Sequence, residues 1–358
     1  MASHFARHSV EQEPRREQGS RVRKGRFSTR VTIEDFLQIY LICERLEMNE
    51  VKVAQDFMRR KLVTLSPHTK VLDGVARLLR DNISGAPVVD DQNQYVGVFS
   101  EKACMKALSG SVAAAIELGI SAPKVREFMK RDLITLSQDD DVFRSIDHIL
   151  SKRISGAPVV DAKGNFLGIF SEKTAMRVLV AALYDQVPGT NVGSYMNLDR
   201  NRIIDENDCL HDVARKFEET PYRRLPILHG EKLAGQVSRR DVLRAQHRIA
   251  LEVADRVRRN GASGSIAESA KDHEVGEFAD TAALTLGPNA DILQIAQLFL
   301  NSPYRRVPIV SGGKLVGQVS RRDLLEAAAD LLRPDPARHQ ASPLYLSPLA
   351  DSLPPSMR

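Results

Sequence analysis

Residues 83–102, ISGAPVVDDQNQYVGVFSEK, return 71 positions later as ISGAPVVDAKGNFLGIFSEK at 154–173, with 13 of 20 residues identical. Residues 220–246, TPYRRLPILHGEKLAGQVSRRDVLRAQ, return 82 positions later as SPYRRVPIVSGGKLVGQVSRRDLLEAA at 302–328, with 18 of 27 identical. The two sets align with each other through Pro87, Pro158, Pro226 and Pro308, and through Gly97, Gly168, Gly235 and Gly317. Four copies of one unit, in two unlike pairs, therefore organise the chain, and a fixed repeat constrains the architecture more than any single motif can.

Working outward from the repeat, each copy follows one grammar. A short apolar run (Leu62–Leu65, Leu133–Leu136, Ile203-Ile204, Leu284–Leu286) predicts a brief strand. Apolar residues at helical spacing follow, such as Val71, Val75, Leu78 and Leu79 in the first copy. A β-branched strand, a turn rich in Asp, Gly, Asn and Lys, and a second strand ending in Ser complete the hairpin. A last helix is expected to start at Glu101, Glu172, Arg239 and Arg321. About sixty residues per copy bury too little surface to be stable alone, so the copies should pair and share cores. The first copy is expected to pair with the second, and the third with the fourth.

The flanks differ from the body. Of the formal net charge of +5, all resides in residues 1–30, where eight Lys/Arg face three acids. The basic balance thus belongs to an N-terminal arm, and with no Trp and few aromatics a nucleic-acid partner is not expected. The arm lacks the apolar core of a secretory signal, and no run approaches the ~18 apolar residues of a membrane span. Three scattered cysteines, Cys43, Cys104 and Cys209, support neither a disulfide framework nor a zinc knuckle, and a reducing cytoplasmic setting is the expectation. Thr32, with Asp35 three residues on and Ile33, Phe36, Leu37, Tyr40 and Leu41 on one face, predicts an amphipathic helix. Residues 333–358 hold six prolines and no apolar period, which predicts a disordered tail.

The unlike pairs differ at chemically informative positions. The third and fourth copies turn from strand to helix through Ser238-Arg239-Arg240-Asp241 and Ser320-Arg321-Arg322-Asp323, where the first two carry Ala103 and Thr174 in place of the Asp. The same two copies carry Arg223-Arg224 and Arg305-Arg306 where the others have Ser84-Gly85 and Ser155-Gly156. Ser-x-x-Asp before a helix is also a capping box. A cap has no need of arginines a dozen residues earlier, so their joint occurrence favours binding. Arg239, Arg240, Arg321 and Arg322 are expected on a solvated helix face.

The pattern Gly-apolar-apolar-Ser-x-x-Asp after a Pro-containing strand resembles the CBS domain, and four copies resemble tandem Bateman modules, an arrangement similar to the γ subunit of AMP-activated kinase. The resemblance spans residues 51–332. It implies an α+β fold, four CBS (β-α-β-β-α) repeats paired into two Bateman modules. The implied bounds are 51–118, 123–186, 190–260 with an extended helix, and 272–332, preceded by a disordered basic arm at 1–31 and a helix at 32–50. It further implies adenosyl ligands: ribose on Asp241 and Asp323 with Ser238 and Ser320, phosphate on Arg223, Arg224, Arg305 and Arg306, and adenine beside Ile204 and Leu286 at the start of the partner copy. A carboxylate suits two adjacent ribose hydroxyls, and guanidinium forks suit phosphate.

The expected function is accordingly non-catalytic. The C-terminal pair would sense AMP, ADP or ATP and signal by conformational change to an effector protein, in a homodimer, with no obligatory cofactor and no membrane. No catalytic constellation or metal-ligand spacing recurs, and Gly312-Gly313-Lys314 is a hairpin turn and not a phosphate loop. The other readings are a structural dimerisation scaffold with vestigial sites, or S-adenosylmethionine as the ligand. The first two copies are expected to be structural or to take a different ligand.

Overall fold

Ser100 closes the second strand of the first copy and its Oγ accepts a hydrogen bond from the Ala103 amide at 3.3 Å, which starts the following helix at Glu101. The same device operates in all four copies, so the expected helix starts hold. The computed structural model describes residues 52–183, 190–260 and 273–332. The arm at 1–31, the helix predicted over 32–50, the Gly/Ser loop at 261–265 and the tail at 333–358 lie outside the described residues. All that is described falls within one unit, Met48–Arg358.

The first copy comprises α1 (Val71–Arg80), β1 (Gly85–Val89), β2 (Tyr95–Ser100) and α2 (Glu101–Glu117). The second has β3 (Leu136–Ser137), α3 (Val142–Ser151), β4 (Gly156–Val160), β5 (Phe166–Ser171) and α4 (Glu172–Leu183). The third has α5 (Leu210–Glu219), β6 (Arg224–His229), β7 (Lys232–Ser238) and α6 (Arg239–Asn260). The fourth has α7 (Ile292–Asn301), β8 (Arg306–Ser311), β9 (Lys314–Ser320) and α8 (Arg321–Leu332). Each hairpin is antiparallel with one irregularity near its turn.

The leading strand of each copy is shorter than its sequence suggests. Leu65, Ile204 and Leu286 each make a single parallel bridge, to Val88, Ile227 and Ile309, and only β3 extends to two residues. The backbone on either side is otherwise engaged. Arg59 pairs with a different copy, and the Thr69 amide donates to Ser66 in the turn that opens α1.

The interlock between copies departs from the expected order. Arg59, in the leading segment of the first copy, exchanges backbone hydrogen bonds of 2.9 and 3.0 Å with Gln318 of β9, and Asp280, in that of the fourth, exchanges bonds of 3.2 and 2.9 Å with Val98 of β2. Lys130 pairs likewise with Gln236, and Asn197 with Ile169. The copies that exchange leading segments are therefore one with four and two with three, and not the expected one with two and three with four. The aligned glycines show why: a Cβ on Gly97 would stand 2.8 Å from the Asp280 carbonyl oxygen, on Gly168 2.7 Å from that of Asn197, and on Gly235 3.0 Å from that of Lys130. Each glycine is the gap through which another copy's backbone passes.

Helices complete the assembly along the other diagonal. α2 packs on α6 and α4 on α8, so one core joins copies one and three and the other joins copies two and four. Phe99, Leu108, Phe217 and Leu225 lie in the first core, Phe170, Met176, Ile149 and Phe299 in the second. Leading segments cross between cores: Val125 and Val275 enter the first, Met58 and Val192 the second. Every copy thus depends on two others for burial, which accounts for units of this size being stable.

Candidate functional site

Asp241 and Asp323 sit at the third residue of α6 and α8, each 6% exposed. Oδ2 of Asp241 accepts from the Ser238 amide at 2.9 Å and from the Ser238 hydroxyl at 2.6 Å. Asp323 repeats this with Ser320 at 2.8 and 2.6 Å. These are capping interactions, as the sequence allowed, and they consume one carboxylate oxygen of each pair. The second oxygen faces a neighbouring copy. Oδ1 of Asp323 accepts from Nε of Arg59 at 2.6 Å, while Oδ1 of Asp241 has Nζ of Lys130 at 3.9 Å and Arg244 at 3.7 Å. Arg59 and Lys130 occupy equivalent positions in two leading segments and are 63% and 61% exposed, so buried carboxylates lie under movable cations. The hydrogen bond that Arg59 donates to Asp323 raises the Arg59 pKa above its ordinary value.

The arginines converge on a separate centre at which all four copies meet. Arg305 donates from Nε and Nη2 to the two oxygens of Glu172 at 2.8 and 2.9 Å, and Arg322 approaches the same carboxylate at 3.5 Å. Arg223 donates to Glu101 at 3.0 Å, with Arg240 at 3.5 Å. Glu101 and Glu172 are buried at the first positions of α2 and α4. Arg224 donates to the Ser155 hydroxyl and Arg306 to the Gly85 carbonyl, both at 3.3 Å. These four links join copies one to three, two to four, two to three and one to four, closing a ring.

The expectation of a solvated arginine face is corrected here. Arg239 and Arg321 are buried, each donating to two carbonyl oxygens at the end of the preceding helix and stacked 5.9 Å from Phe217 or Phe299. Arg240 and Arg322 are mostly covered, each 3.5 Å from a glutamate. Eight arginines therefore surround two glutamates. Burial pushes Arg224, Arg239, Arg306 and Arg321 down to about 10, with neighbouring arginines adding to the effect. For Arg305 burial is the largest influence and pulls the same way, but the Glu172 charge, its hydrogen bonds and the Glu101 charge together outweigh it, and the net shift is upward. Among the described residues the Nε atoms of Arg224, Arg239, Arg240, Arg321 and Arg322 are buried without a hydrogen-bond partner. Arg224 stands opposite Ser238 and Arg306 opposite Ser320 across their hairpins, so the carboxylate corners adjoin the arginine centre.

The CBS domain profile matches at residues 53–110, 125–181, 199–248 and 275–330, most of the chain and all four copies. The chain belongs to the CBS domain family. The uncharacterized protein MJ1225 of Methanocaldococcus jannaschii is similar, 22% identical over 298 residues that cover 77% of this chain and 97% of that protein. Its crystal structure covers 77% of this chain and 99% of its own, with 21% identity and a TM-score of 0.35. A crystal structure of CBSX2, a CBS-pair protein from Arabidopsis thaliana, in complex with AMP covers 35% of this chain and 97% of its own, at 26% identity and a TM-score of 0.32.

Within these four CBS repeats the residues expected to act together divide into two places. Asp241 with Ser238 and Asp323 with Ser320 lie at the interlocks of copies three with two and four with one. Arg223, Arg224, Arg305 and Arg306 lie in the central ring. Ile204 and Leu286 each pair with their own copy's sheet. They do not mark the start of an interlocked partner, because the third and fourth copies do not exchange leading segments; that position falls to Met129-Lys130 and Met58-Arg59. Sequence reasoning also missed Glu101 and Glu172. The signal was present, since each glutamate stands where the last two copies have Arg239 and Arg321, a reversal of charge matching the arginines gained elsewhere. Among the described residues no group of three or more His, Cys, Asp or Glu could hold a metal ion, and no helix is long and apolar enough to cross a membrane.

Proposed function

We propose that the protein is a non-catalytic regulator that senses adenine nucleotides, with one site at each Asp-bearing corner of its third and fourth CBS repeats. The observation that carries this reading is the pair of buried carboxylates, each with one oxygen fixed by the helix cap and the other facing only cations. A ribose diol can take the second oxygen once the exposed Arg59 or Lys130 side chain swings away. The adjoining arginines supply a positive, poorly solvated surround for phosphate. The same surround disfavours the sulfonium of S-adenosylmethionine, so AMP, ADP and ATP are the preferred ligands. Both sites lie where leading segments cross between copies, so occupancy would bias the arrangement of the four repeats through its differential affinity for two shapes, and an effector protein would read the result.

Thermal melts against AMP, ADP, ATP and S-adenosylmethionine test the reading. A nucleotide at 100 times its Kd adds about 2.7 kcal/mol to stability. No shift with any nucleotide at millimolar concentration would reject it. Arg59 gives a finer expectation. Because it occupies the Asp323 oxygen at 2.6 Å whereas Lys130 stands 3.9 Å from Asp241, Arg59→Ala should tighten nucleotide binding at the fourth repeat about two- to fivefold. Lys130→Ala should change the third repeat's affinity less, and equal effects in fluorescence titrations would contradict the asymmetry.

A structural scaffold with vestigial sites is the second reading, and the glutamate partners of Arg223 and Arg305 favour it. Two glutamates among eight arginines leave most of the positive charge uncompensated, which a purely structural core does not need.

A further inference from the structure

We propose that Glu101 and Glu172 are internal competitors for the ligand's phosphates, so that the first two repeats set the affinity and charge class of what the last two bind. The inference rests on the nucleotide-sensing reading above and assigns these repeats a role within it. Each glutamate begins a helix, with its carboxylate near the positive end of the helix dipole, a position that also suits phosphate. Each carboxylate holds two arginines from another repeat: Arg223 and Arg240 for Glu101, Arg305 and Arg322 for Glu172. The grip is uneven, since Arg305 engages Glu172 through both fork nitrogens while Arg223 engages Glu101 through one.

A nucleotide anchored at Asp241 or Asp323 extends its phosphates toward these guanidinium groups. A phosphate carries more charge and more acceptor oxygens than a carboxylate, and buried Nε donors without partners stand ready beside it. The cost of binding is then the arginine–glutamate contact given up, and it rises with the number of phosphates that reach the centre. Release of Glu101 or Glu172 frees the first turn of α2 or α4, the helices that pack on α6 and α8. Occupancy in the last two repeats is thereby transmitted to the first two.

Calorimetric titration of the full chain and its E101Q/E172Q variant with adenosine, AMP and ATP tests the proposal. Glutamine keeps the side-chain shape and removes the competing charge. ATP is expected to bind the variant at least about tenfold tighter than the wild type, AMP to gain less, and adenosine to stay within about twofold. The unliganded variant should melt lower, and ATP should raise its melt by more than that of the wild type. ATP affinity that is unchanged or weaker in the variant, with binding to the wild type intact, overturns the competitor role and leaves nucleotide sensing standing. If neither protein binds ATP or adenosine, the sensing reading itself fails and the inference with it. Should the double variant not fold, E101Q and E172Q singly carry the test, each expected to show part of the logarithmic gain and E172Q the larger part.

Discussion

Arg305→Ala lowers the free energy of unfolding by about 3–5 kcal/mol, the cost of leaving a buried carboxylate with only Arg322, at 3.5 Å, beside it. Glu172 is 2% exposed and receives both fork nitrogens of Arg305, so no water can replace the lost donors without opening the junction of the second and fourth repeats. Arg223→Ala should cost less, because Glu101 receives a single nitrogen from Arg223 at 3.0 Å. Urea denaturation read by circular dichroism measures both. Removing both partners, in Arg305→Ala with Glu172→Ala, should cost less than the sum of the single changes. An Arg305→Ala loss below about 1 kcal/mol, the range of an exposed ion pair, would show that the central ring is open to solvent.

Gly168→Val is the second large effect, with an expected loss of about 3 kcal/mol. A Cβ there meets the Asn197 carbonyl oxygen at 2.7 Å and the Met196 side chain at 3.3 Å, both belonging to the segment that leads into the third repeat. Backbone cannot move aside without breaking the hydrogen bonds that Ile169 and Asn197 exchange at 3.0 and 2.9 Å. Gly287→Val is the control, since nothing lies within 4 Å of a Cβ at Gly287. The comparison bears on the interlock of the second and third repeats. Equal losses at the two positions, by thermal melting, would contradict the passage of the third repeat's leading segment over the second repeat's sheet.

The repeat unit, its hairpins and the starts of its last helices were legible in the sequence because local chemistry sets them. A Ser before each last helix fixes the helix start, and a Pro and a Gly at constant spacing fix the hairpin. Which repeats interlock was not legible, since the leading segments of all four copies end in similar apolar runs and the choice is made by packing at a distance. Gly97, Gly168, Gly235 and Gly317 announced that something crosses each hairpin without saying what. At the site, Asp241 and Asp323 were found by comparing copies, and their capping role by their spacing from Ser238 and Ser320. Arg223 and Arg305 were found too, but not their partners, because Glu101 and Glu172 lie in other copies and an ion pair between distant segments leaves no local pattern. Arg239 and Arg321 follow a Ser and precede another charge, which resembles a solvated helix start. Only the fold reveals that Phe217 and Phe299 cover them.

Titration calorimetry of AMP, ADP and ATP into the full chain, beside Asp241→Ala/Asp323→Ala, tests nucleotide sensing most directly. The double change also removes two helix caps, costing about 1 kcal/mol each, so the variant's fold is confirmed by circular dichroism before titration. Nucleotide sensing at these two corners predicts saturable binding to the wild type, loss of one class of site in either single variant, and no binding in the double. Absence of binding to the wild type at millimolar nucleotide, or undiminished binding in the folded double variant, would contradict it.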